Sequence, residues 1–336
     1  MYGINEIGGY FELELQAGQE YHTQAMRFNS GRNALCFYLI KNKIRDLFVP
    51  YFIPESLLEN LKKIKTDFHF YNIDENFRPL LKASNVKSAH VLYVNYFGIC
   101  ENHIKEAVER YSNVVADYSQ AFFSNPEPGI PTFYSPRKFF GVADGGYLYA
   151  PGLDNSTLTR DKSAQRYISR LVRLDSGYES GNFIYHNTEE LIGREKIRQM
   201  SALTQKILSS FRYDQVWEKR ENNFRYIHNK LAAYNLLQID LHNIHGPMVY
   251  PFLSENENIV NVLYDKKIFA TQFWPEVLRR TKEGSFEYRL SSSLAGLPID
   301  QRYGFREMDV IVDAVKQVAD KPRTLVQVSN LDESEN

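Results

Sequence analysis

The sequence predicts an α/β protein with a large domain built on a mainly parallel sheet and a smaller α+β domain at the carboxyl-terminal end. Strand-like apolar runs alternate with helical patterns through the first half of the chain, which is the order that right-handed βαβ units require. The 336 residues exceed a typical single core. From Met248 onward, short strands and helices follow one another in a different pattern. We therefore expect a large domain over 1–235, a small domain over 236–320 and a disordered acidic tail over 321–336.

The elements of the large domain follow from hydrophobic periodicity and turn residues. Alternating residues predict a short edge strand at 10–15, and a glycine turn at Ser30-Gly31 opens a helix. The next predicted elements are a strand over 47–54, a helix over 55–65, strands over 68–74 and 91–98, a helix over 103–111 and a buried strand that starts at 114.

Beyond residue 150 the pattern predicts mainly helices. Residues 160–174 read as a helix with a basic face, and residues 175–187 as a loop. The capping box that starts at Thr188 predicts a long helix to about Phe211. A further helix over 216–236 carries Arg220 and Asn223 on its polar side.

Composition and charge exclude several classes of protein. The 40 basic and 41 acidic side chains balance to a net charge of −1, so no nucleic-acid partner is expected. No window approaches the ~18 uninterrupted apolar residues of a membrane span, and the first residues lack the features of a signal peptide. The two cysteines, Cys36 and Cys100, lie in apolar segments, which fits a reducing cytoplasm. No metal site is predicted.

The stretch from Val114 to Tyr149 holds the residues with the clearest chemical logic. Asp117 lies at the carboxyl end of a buried strand, Lys138 follows about twenty residues later, and Gly145-Gly146 leads into another strand. A lysine can hold the aldehyde of pyridoxal phosphate as a Schiff base, and a carboxylate against the pyridine nitrogen keeps that nitrogen protonated. Gln120, three residues past the acid, is placed to reach the phenolic oxygen of the ring. The alternative is that Asp117 caps a loop, Lys138 is a surface lysine and the glycines form a plain turn.

This stretch resembles the DegT-type sugar aminotransferases, a family with the fold-type I architecture and a pyridoxal phosphate cofactor. In that family a D-x-x-Q/H segment holds the cofactor ring, and a lysine seven residues before a Gly-Gly pair binds the cofactor covalently. Asp117-Tyr118-Ser119-Gln120 and Lys138 with Gly145-Gly146 match both blocks. The resemblance implies a sheet of the seven-stranded type in the large domain, catalysis by Lys138, and cofactor contacts from Asp117 and Gln120.

The resemblance extends to the phosphate site, where the chain also departs from the family. The family motif S-G-T-x-A-L matches Ser30-Gly31-Arg32, with Arg32 in place of the threonine. A helix start of this kind binds phosphate, although an N-cap is the commoner role of Ser30. The family's serine five residues before the lysine is replaced here by Phe133, and Ser135 lies three before it. Arg137 takes the place of a serine or threonine, so the phosphate site is expected to rely on Ser30, Gly31, Arg32 and Ser135.

Three further positions follow from the resemblance. An aromatic residue near a V-P pair stacks on the cofactor ring in the family, which points to Phe52 or Tyr51; a core aromatic is the alternative for both. Asn95 occupies the place of a family histidine, either as a cofactor contact or as the cap of a glycine turn. In the family a loop reaches the active site of the partner subunit, and the matching segment holds Asn182 and Tyr185. A simple loop before a helix is the alternative there.

The resemblance implies an enzyme that transfers an amino group from an amino acid, glutamate above all, to a keto sugar or nucleotide-sugar, as in cell-surface polysaccharide or glycan biosynthesis. It also implies a homodimer with active sites at the subunit interface. A non-catalytic relative that keeps the fold for binding or assembly is the alternative. A nucleotide-binding α/β protein without pyridoxal is disfavoured, because no G-x-G-x-x-G follows the first strands.

Overall fold

The computed structural model describes residues 8–319, apart from 87–88, 193–194 and 243. Its strands are β1 Met26–Phe28, β2 Asp46–Pro50, β3 Asp67–Ile73, β4 Pro79–Leu80, β5 His90–Val94, β6 Val114–Tyr118, β7 Thr132–Tyr134, β8 Gly146–Tyr149, β9 Tyr250–Leu253, β10 Thr271–Gln272 and β11 Leu294–Leu297. Its α-helices are α1 Gly31–Lys41, α2 Glu55–Lys63, α3 Ala83–Val86, α4 His103–Arg110, α5 Ile168–Ser176, α6 Tyr178–Ile192, α7 Ala202–Ser209, α8 Tyr213–Leu231, α9 Ile259–Asp265, α10 Phe286–Ser293 and α11 Phe305–Lys316.

The first eight strands form one sheet in the order β1-β8-β7-β6-β5-β2-β3-β4. The strands β3, β2, β5, β6 and β7 pair in parallel, whereas β8 is antiparallel to both of its neighbours. The two-residue strand β4 pairs antiparallel with β3 and adds an eighth strand at the edge. The predicted α/β class with a large, mainly parallel sheet is thereby confirmed.

The sheet is apolar along its central strands because helices cover both of its faces. Every residue of β6 is buried, and so are Val91 to Val94 of β5. The parallel strands β5, β6 and β7 end at the same edge, where their connections carry polar side chains. This edge is where the site residues collect.

A second, smaller sheet lies in the carboxyl-terminal part, with the antiparallel order β10-β11-β9. Its core combines side chains of β9 and β11 with those of α9, α11 and the last turns of α8. Three residues of α8, Phe224, Ile227 and Leu231, belong to this second core. None of the described helices combines the length and the apolar composition needed to cross a bilayer.

The edge strand predicted at 10–15 is wrong. The segment has no regular secondary structure, and Tyr10, Phe11 and Leu13 are 99%, 90% and 62% exposed. Alternation of polar and apolar residues makes a strand only where a neighbouring strand supplies hydrogen bonds, and the described residues supply none to this segment.

The loop predicted at 175–187 and the helix predicted at 188–211 are also wrong. Helix α5 ends at a glycine, Gly177, whose φ of 87° turns the chain straight back into α6. A second glycine, Gly181, lets the two helices touch, since a Cβ atom there would lie 2.7 Å from the carbonyl oxygen of Ser169. The next helix, α7, begins only at Ala202, where Ser201 is the N-cap and accepts from the backbone N–H of Thr204. The predicted acidic tail over 321–336 lies outside the described residues.

The polar side predicted for Arg220 and Asn223 is buried instead. Arg220 is 2% exposed and Asn223 is fully buried. Arg220 donates hydrogen bonds to the carbonyl oxygens of Phe139, Pro247 and Met248, and Asn223 donates to the carbonyls of Ile299 and Tyr303. Backbone carbonyls from distant segments therefore offset the cost of burying both polar groups.

Candidate active site

Two neighbouring strands deliver the acid and the lysine to one place. Asp117 is the fourth residue of β6 and pairs with Val94 of β5 and Phe133 of β7. The chain leaves β7 at Tyr134 and forms a single 3₁₀ turn, Pro136–Lys138. Because β6 and β7 run in parallel, their carboxyl ends lie side by side, and the turn after β7 lies next to the end of β6.

A serine joins the two groups. The Nζ atom of Lys138 donates to Oγ of Ser119 at 3.0 Å, and the backbone N–H of Ser119 donates to Oδ1 of Asp117 at 2.8 Å. An amine and a carboxylate are thus connected through one serine residue at the carboxyl end of the sheet.

The protein around Asp117 and Lys138 favours the neutral form of both side chains. Burial raises the pKa of Asp117, and the opposing charge of Lys138 and the bonds from Ser119 only partly offset that effect. The pKa of Lys138 is lowered to about 8, chiefly because the surrounding protein removes water from the amine. The positive charges of Arg32 and Arg137 lower this pKa further, whereas the negative charge of Asp117 raises it. The lysine side chain still faces the solvent of the cleft. A larger neutral fraction makes the amine a better nucleophile near neutral pH.

Gln120 is held by its oxygen. The Oε1 atom accepts from the backbone N–H of Phe97 at 3.1 Å, and Gln120 is 1% exposed. An amide oxygen that is used as an acceptor fixes which end of the side chain is the NH₂ group. The amide nitrogen is therefore the end of Gln120 that can donate to a ligand in the cleft.

The start of α1 forms a second wall of the site. Ser30 is the N-cap, and its Oγ accepts from the backbone N–H of Asn33 at 3.1 Å. The strand β8 approaches this helix start so closely that a Cβ atom on Gly146 would lie 2.3 Å from the carbonyl carbon of Ser30. The adjacent Gly145 has a φ of 129° and forms a bridge with Ser30. The Gly-Gly pair therefore has a local function, which is to seat the start of α1 against the sheet.

Eight of the ten predicted site residues line one cleft of about 1490 Å³. The cleft runs from the carboxyl edge of the large sheet to the small sheet, with the hairpin α5–α6 on one side. Phe133, which replaces the expected phosphate-contacting serine, lines the cleft although only 2% of it is exposed. The eight are Ser30, Gly31, Arg32, Asp117, Gln120, Ser135, Lys138 and Asn182.

Phe52 and Asn95 are the two predicted residues that do not line the cleft. Phe52 is fully buried, with its ring against Tyr96 and Trp274 at centroid distances of 5.6 and 4.6 Å. Tyr51, the alternative to Phe52, stacks on Phe70 at 4.6 Å. Phe52 is a core aromatic, whereas Tyr51 and Phe70 are half-buried.

Asn95 caps a turn. Its Oδ1 atom accepts from the backbone N–H of Cys100 at 2.9 Å, and the residue is completely buried. The strand β5 ends just before it, at Val94, and a 3₁₀ turn, Tyr96–Gly98, follows. Of the two roles considered for Asn95, this hydrogen bond supports the one in the glycine turn.

Asn182 reaches the cleft from a helix and not from a loop. It lies in α6 beside Tyr185, and both residues line the cleft of their own chain. The stack of Tyr178 on Phe269, at a centroid distance of 4.1 Å, ties this hairpin to the segment after α9.

Several residues of the cleft were missed from the sequence. Ser119 lies inside the D-x-x-Q segment, so its position there was a usable signal. The basic group Arg170, Arg173, Lys266 and Lys267 comes from α5 and from the end of α9, which are far apart in the sequence. No local pattern could have brought these four side chains together.

Comparison with known proteins gives structural likeness only. No family model and no curated protein matches the sequence. A DegT/DnrJ/EryC1/StrS aminotransferase from Brucella abortus superposes with a TM-score of 0.60 at 15% identity, over 88% of this chain and 86% of that one. The sugar aminotransferase CalS13 from Micromonospora echinospora gives 0.60 at 12% identity, over 88% of each chain. The PLP form of Spr1654 from Streptococcus pneumoniae gives 0.58 at 13% identity, over 87% and 86%.

The chain has the fold of these aminotransferases. The match spans most of both chains, so the likeness includes the carboxyl-terminal elements as well as the large sheet. The fold-type I architecture expected from the sequence is confirmed.

Proposed function

We propose that the chain is a pyridoxal-phosphate-dependent aminotransferase that moves the amino group of an amino acid to a keto sugar or nucleotide-linked keto sugar. The observation that carries the proposal is the connection of Lys138 to Asp117 through Ser119 inside the cleft. The structural neighbours support it, since all three are named as aminotransferases, two of them as sugar aminotransferases, and one is a PLP form.

The residues present fit the cofactor. It needs an amine for its aldehyde, a carboxylate for its ring nitrogen and an anion site for its phosphate. Lys138 would bind it covalently, Asp117 would hold the ring nitrogen protonated, and the amide nitrogen of Gln120 would donate to the phenolic oxygen. The start of α1, at Ser30, Gly31 and Arg32, offers N–H groups and a positive helix end to the phosphate, and Ser135 lies beside it. When bound, the cofactor would supply an electron sink for negative charge at the carbon that carries the amino group.

The chain's own groups position and transfer protons. Lys138 would act as the base that takes a proton from the substrate carbon and returns it, and its lowered pKa suits this task near neutral pH. Asp117 keeps its charge opposite the ring nitrogen despite burial, because a positive group there favours the carboxylate.

The basic wall of the cleft supports an anionic substrate. Arg170, Arg173, Lys266 and Lys267 line the cleft. They come from α5 and the end of α9, whereas Lys138 lies in the turn after β7, so the cations and the reacting amine reach the cleft from different elements. A keto sugar that carries phosphate groups, such as a nucleotide-linked sugar, would place its sugar at Lys138 and its phosphates against this wall.

Two further parts of the proposal concern the setting of the protein. Exposed apolar side chains on α5 and α6, Leu171, Leu174 and Phe183, support a homodimer in which this hairpin meets a second copy. Light scattering on the purified chain tests that part, and a monomer at micromolar concentration would refute it.

Both cysteines are buried free thiols, which supports a cytoplasmic location.

Borohydride reduction tests the proposed function directly. The chain mixed with pyridoxal phosphate should absorb in the visible range, and reduction followed by peptide mapping should label Lys138. Lys138→Ala should fold and leave no label, whereas Lys162→Ala, on an exposed loop, should label as the wild type does. A label on another lysine would refute the site. No absorption and no label would favour the non-catalytic alternative.

A further inference from the structure

Ser119 lies between the two groups on which the proposed chemistry depends, Lys138 and Asp117. It is half-buried and lines the cleft. Its hydroxyl accepts from Nζ of Lys138 at 3.0 Å, and its backbone N–H donates to the carboxylate of Asp117.

The backbone fixes the direction of this hydroxyl. Asp117 Oδ1 accepts from the backbone N–H of Ser119 at 2.8 Å, a local turn in which an aspartate bonds two residues ahead. Gln120, the next residue, is anchored through its side chain to the backbone of Phe97. The Cα–Cβ bond of Ser119 is thus held from both sides and directed at the lysine.

We propose that Ser119 is a positioning residue for the reacting amine, and that its hydroxyl holds Nζ of Lys138 beside Asp117 whenever that amine is not covalently occupied. The inference rests on the proposed function in one respect, that Lys138 is the reacting group. The hydrogen bond keeps the free amine of Lys138 close to the reacting atoms and orients its lone pair or proton toward the substrate.

The charges that act on Lys138 come from three elements. Asp117 on β6 favours the ammonium form, and Arg32 on α1 and Arg137 in the 3₁₀ turn disfavour it. The Ser119 oxygen, as an acceptor, also favours the ammonium form. Removing that oxygen should therefore lower the pKa of Lys138, and an alternative hydroxyl in the same place should restore it.

The experiment measures the titration of Lys138 in the chain without cofactor. Competitive acetylation at a series of pH values, followed by mass spectrometry of the peptide that contains Lys138, gives its pKa. Ser119→Ala and Ser119→Val should lower this pKa by roughly 0.5–1 pH unit, the size of an ordinary intramolecular hydrogen bond. Ser119→Thr, which has the shape of valine but keeps the hydroxyl, should titrate like the wild type.

Two results would overturn the inference. An unchanged pKa in both hydroxyl-free variants shows that the bond does not exist in solution, and a shift in Ser119→Thr equal to that in Ser119→Val shows that shape alone matters. Ser119→Ala and Ser119→Val both remove the hydroxyl but differ in size, whereas Ser119→Thr keeps the hydroxyl. If one of the three variants misfolds, the other two can still be compared with the wild type. Borohydride labelling of the wild type is scored separately, so failure of the proposed function is distinguishable from failure of this inference.

Discussion

At the scale of single residues, the molecule tunes its titratable groups by burial. Lys138 and Asp117 lie in the same cleft. The pKa of the lysine is lowered to about 8, and the pKa of the acid is raised. Burial likewise lowers the pKa of His22 in the core. The same physical effect therefore acts on the proposed catalytic pair and on a core residue.

Asp117→Asn should leave the fold intact and reduce transamination. The asparagine is nearly the same size, so packing is retained, but a neutral amide cannot hold a proton on the ring nitrogen of the cofactor. We expect turnover with glutamate to fall roughly hundredfold or more. Asp154→Asn, in an exposed loop, is the matched control. Turnover equal to the wild type would show that Asp117 has no such role.

His22 should make stability depend on pH. It is 2% exposed, its ring bonds to Tyr149 and to the carbonyl of Phe122, and burial lowers its pKa to about 3. Between about pH 6.5 and pH 3 the unfolded chain binds a proton that the folded chain refuses, so stability falls as pH falls. This group should contribute up to ~1.4 kcal/mol per pH unit in that window.

Urea unfolding at pH 7.5 and pH 5 measures this contribution. His22→Gln should show a weaker loss of stability on acidification than the wild type, whereas His186→Gln, on the exposed part of α6, should behave as the wild type. Equal losses in His22→Gln and the wild type would show that His22 titrates normally in the folded chain.

At the scale of elements, the site depends on how closely helix α1 sits on strand β8. The two meet through Gly145 and Gly146, which leave no room for side chains. The same Gly-Gly pair is the sequence signature on which the lysine assignment relied. Its spacing from Lys138 therefore reflects a packing requirement of the fold as well as the chemistry of the site.

Gly146→Ala should displace the start of α1. Its Cβ atom would lie 2.3 Å from the carbonyl carbon of Ser30 and 2.5 Å from the backbone nitrogen of Gly31, and neither backbone atom can yield without moving the helix. We expect a loss of roughly 1–3 kcal/mol in the free energy of unfolding, with weaker binding of pyridoxal phosphate. Gly141→Ala is the control, because no atom lies within 4 Å of a Cβ built there. Similar stability in both variants would contradict the close approach.

At the scale of the whole molecule, one buried cation links the parts around the cleft. Arg220 of α8 donates to the carbonyl of Phe139, next to Lys138, and to the carbonyls of Pro247 and Met248. It also bonds to Oε1 of Gln301, which follows β11. Burial lowers its pKa to about 10, and its guanidinium lies 4.7 Å from the centre of the Phe139 ring.

Arg220→Met should destabilise the protein and loosen the lysine segment. Methionine has a comparable length but leaves several buried carbonyl oxygens without a donor, so we expect a loss of roughly 2–5 kcal/mol. Chemical denaturation measures it, and Arg225→Met, exposed on the same helix, is the control. A loss no larger than that of the control would mean that water replaces the guanidinium.

The division into domains remains a prediction at this scale. The second core uses Phe224, Ile227 and Leu231 of α8, which precede the predicted boundary at residue 236. A fragment over 236–320 lacks these side chains, and its circular dichroism would show whether the small domain folds without them.

The sequence by itself determined the fold class and the proximity of the acid, the amide and the lysine. Those predictions rest on strand and helix periods, on spacings of a few to about twenty residues and on the resemblance of those spacings to the DegT-type family. The structure places Asp117, Gln120 and Lys138 in one cleft with the start of α1. Only the tertiary structure decided that Phe52 and Asn95 lie in the core, that residues 178–192 are helical and that Arg220 is buried. Each of these depends on contacts between segments far apart in the chain, whose energies no local pattern contains.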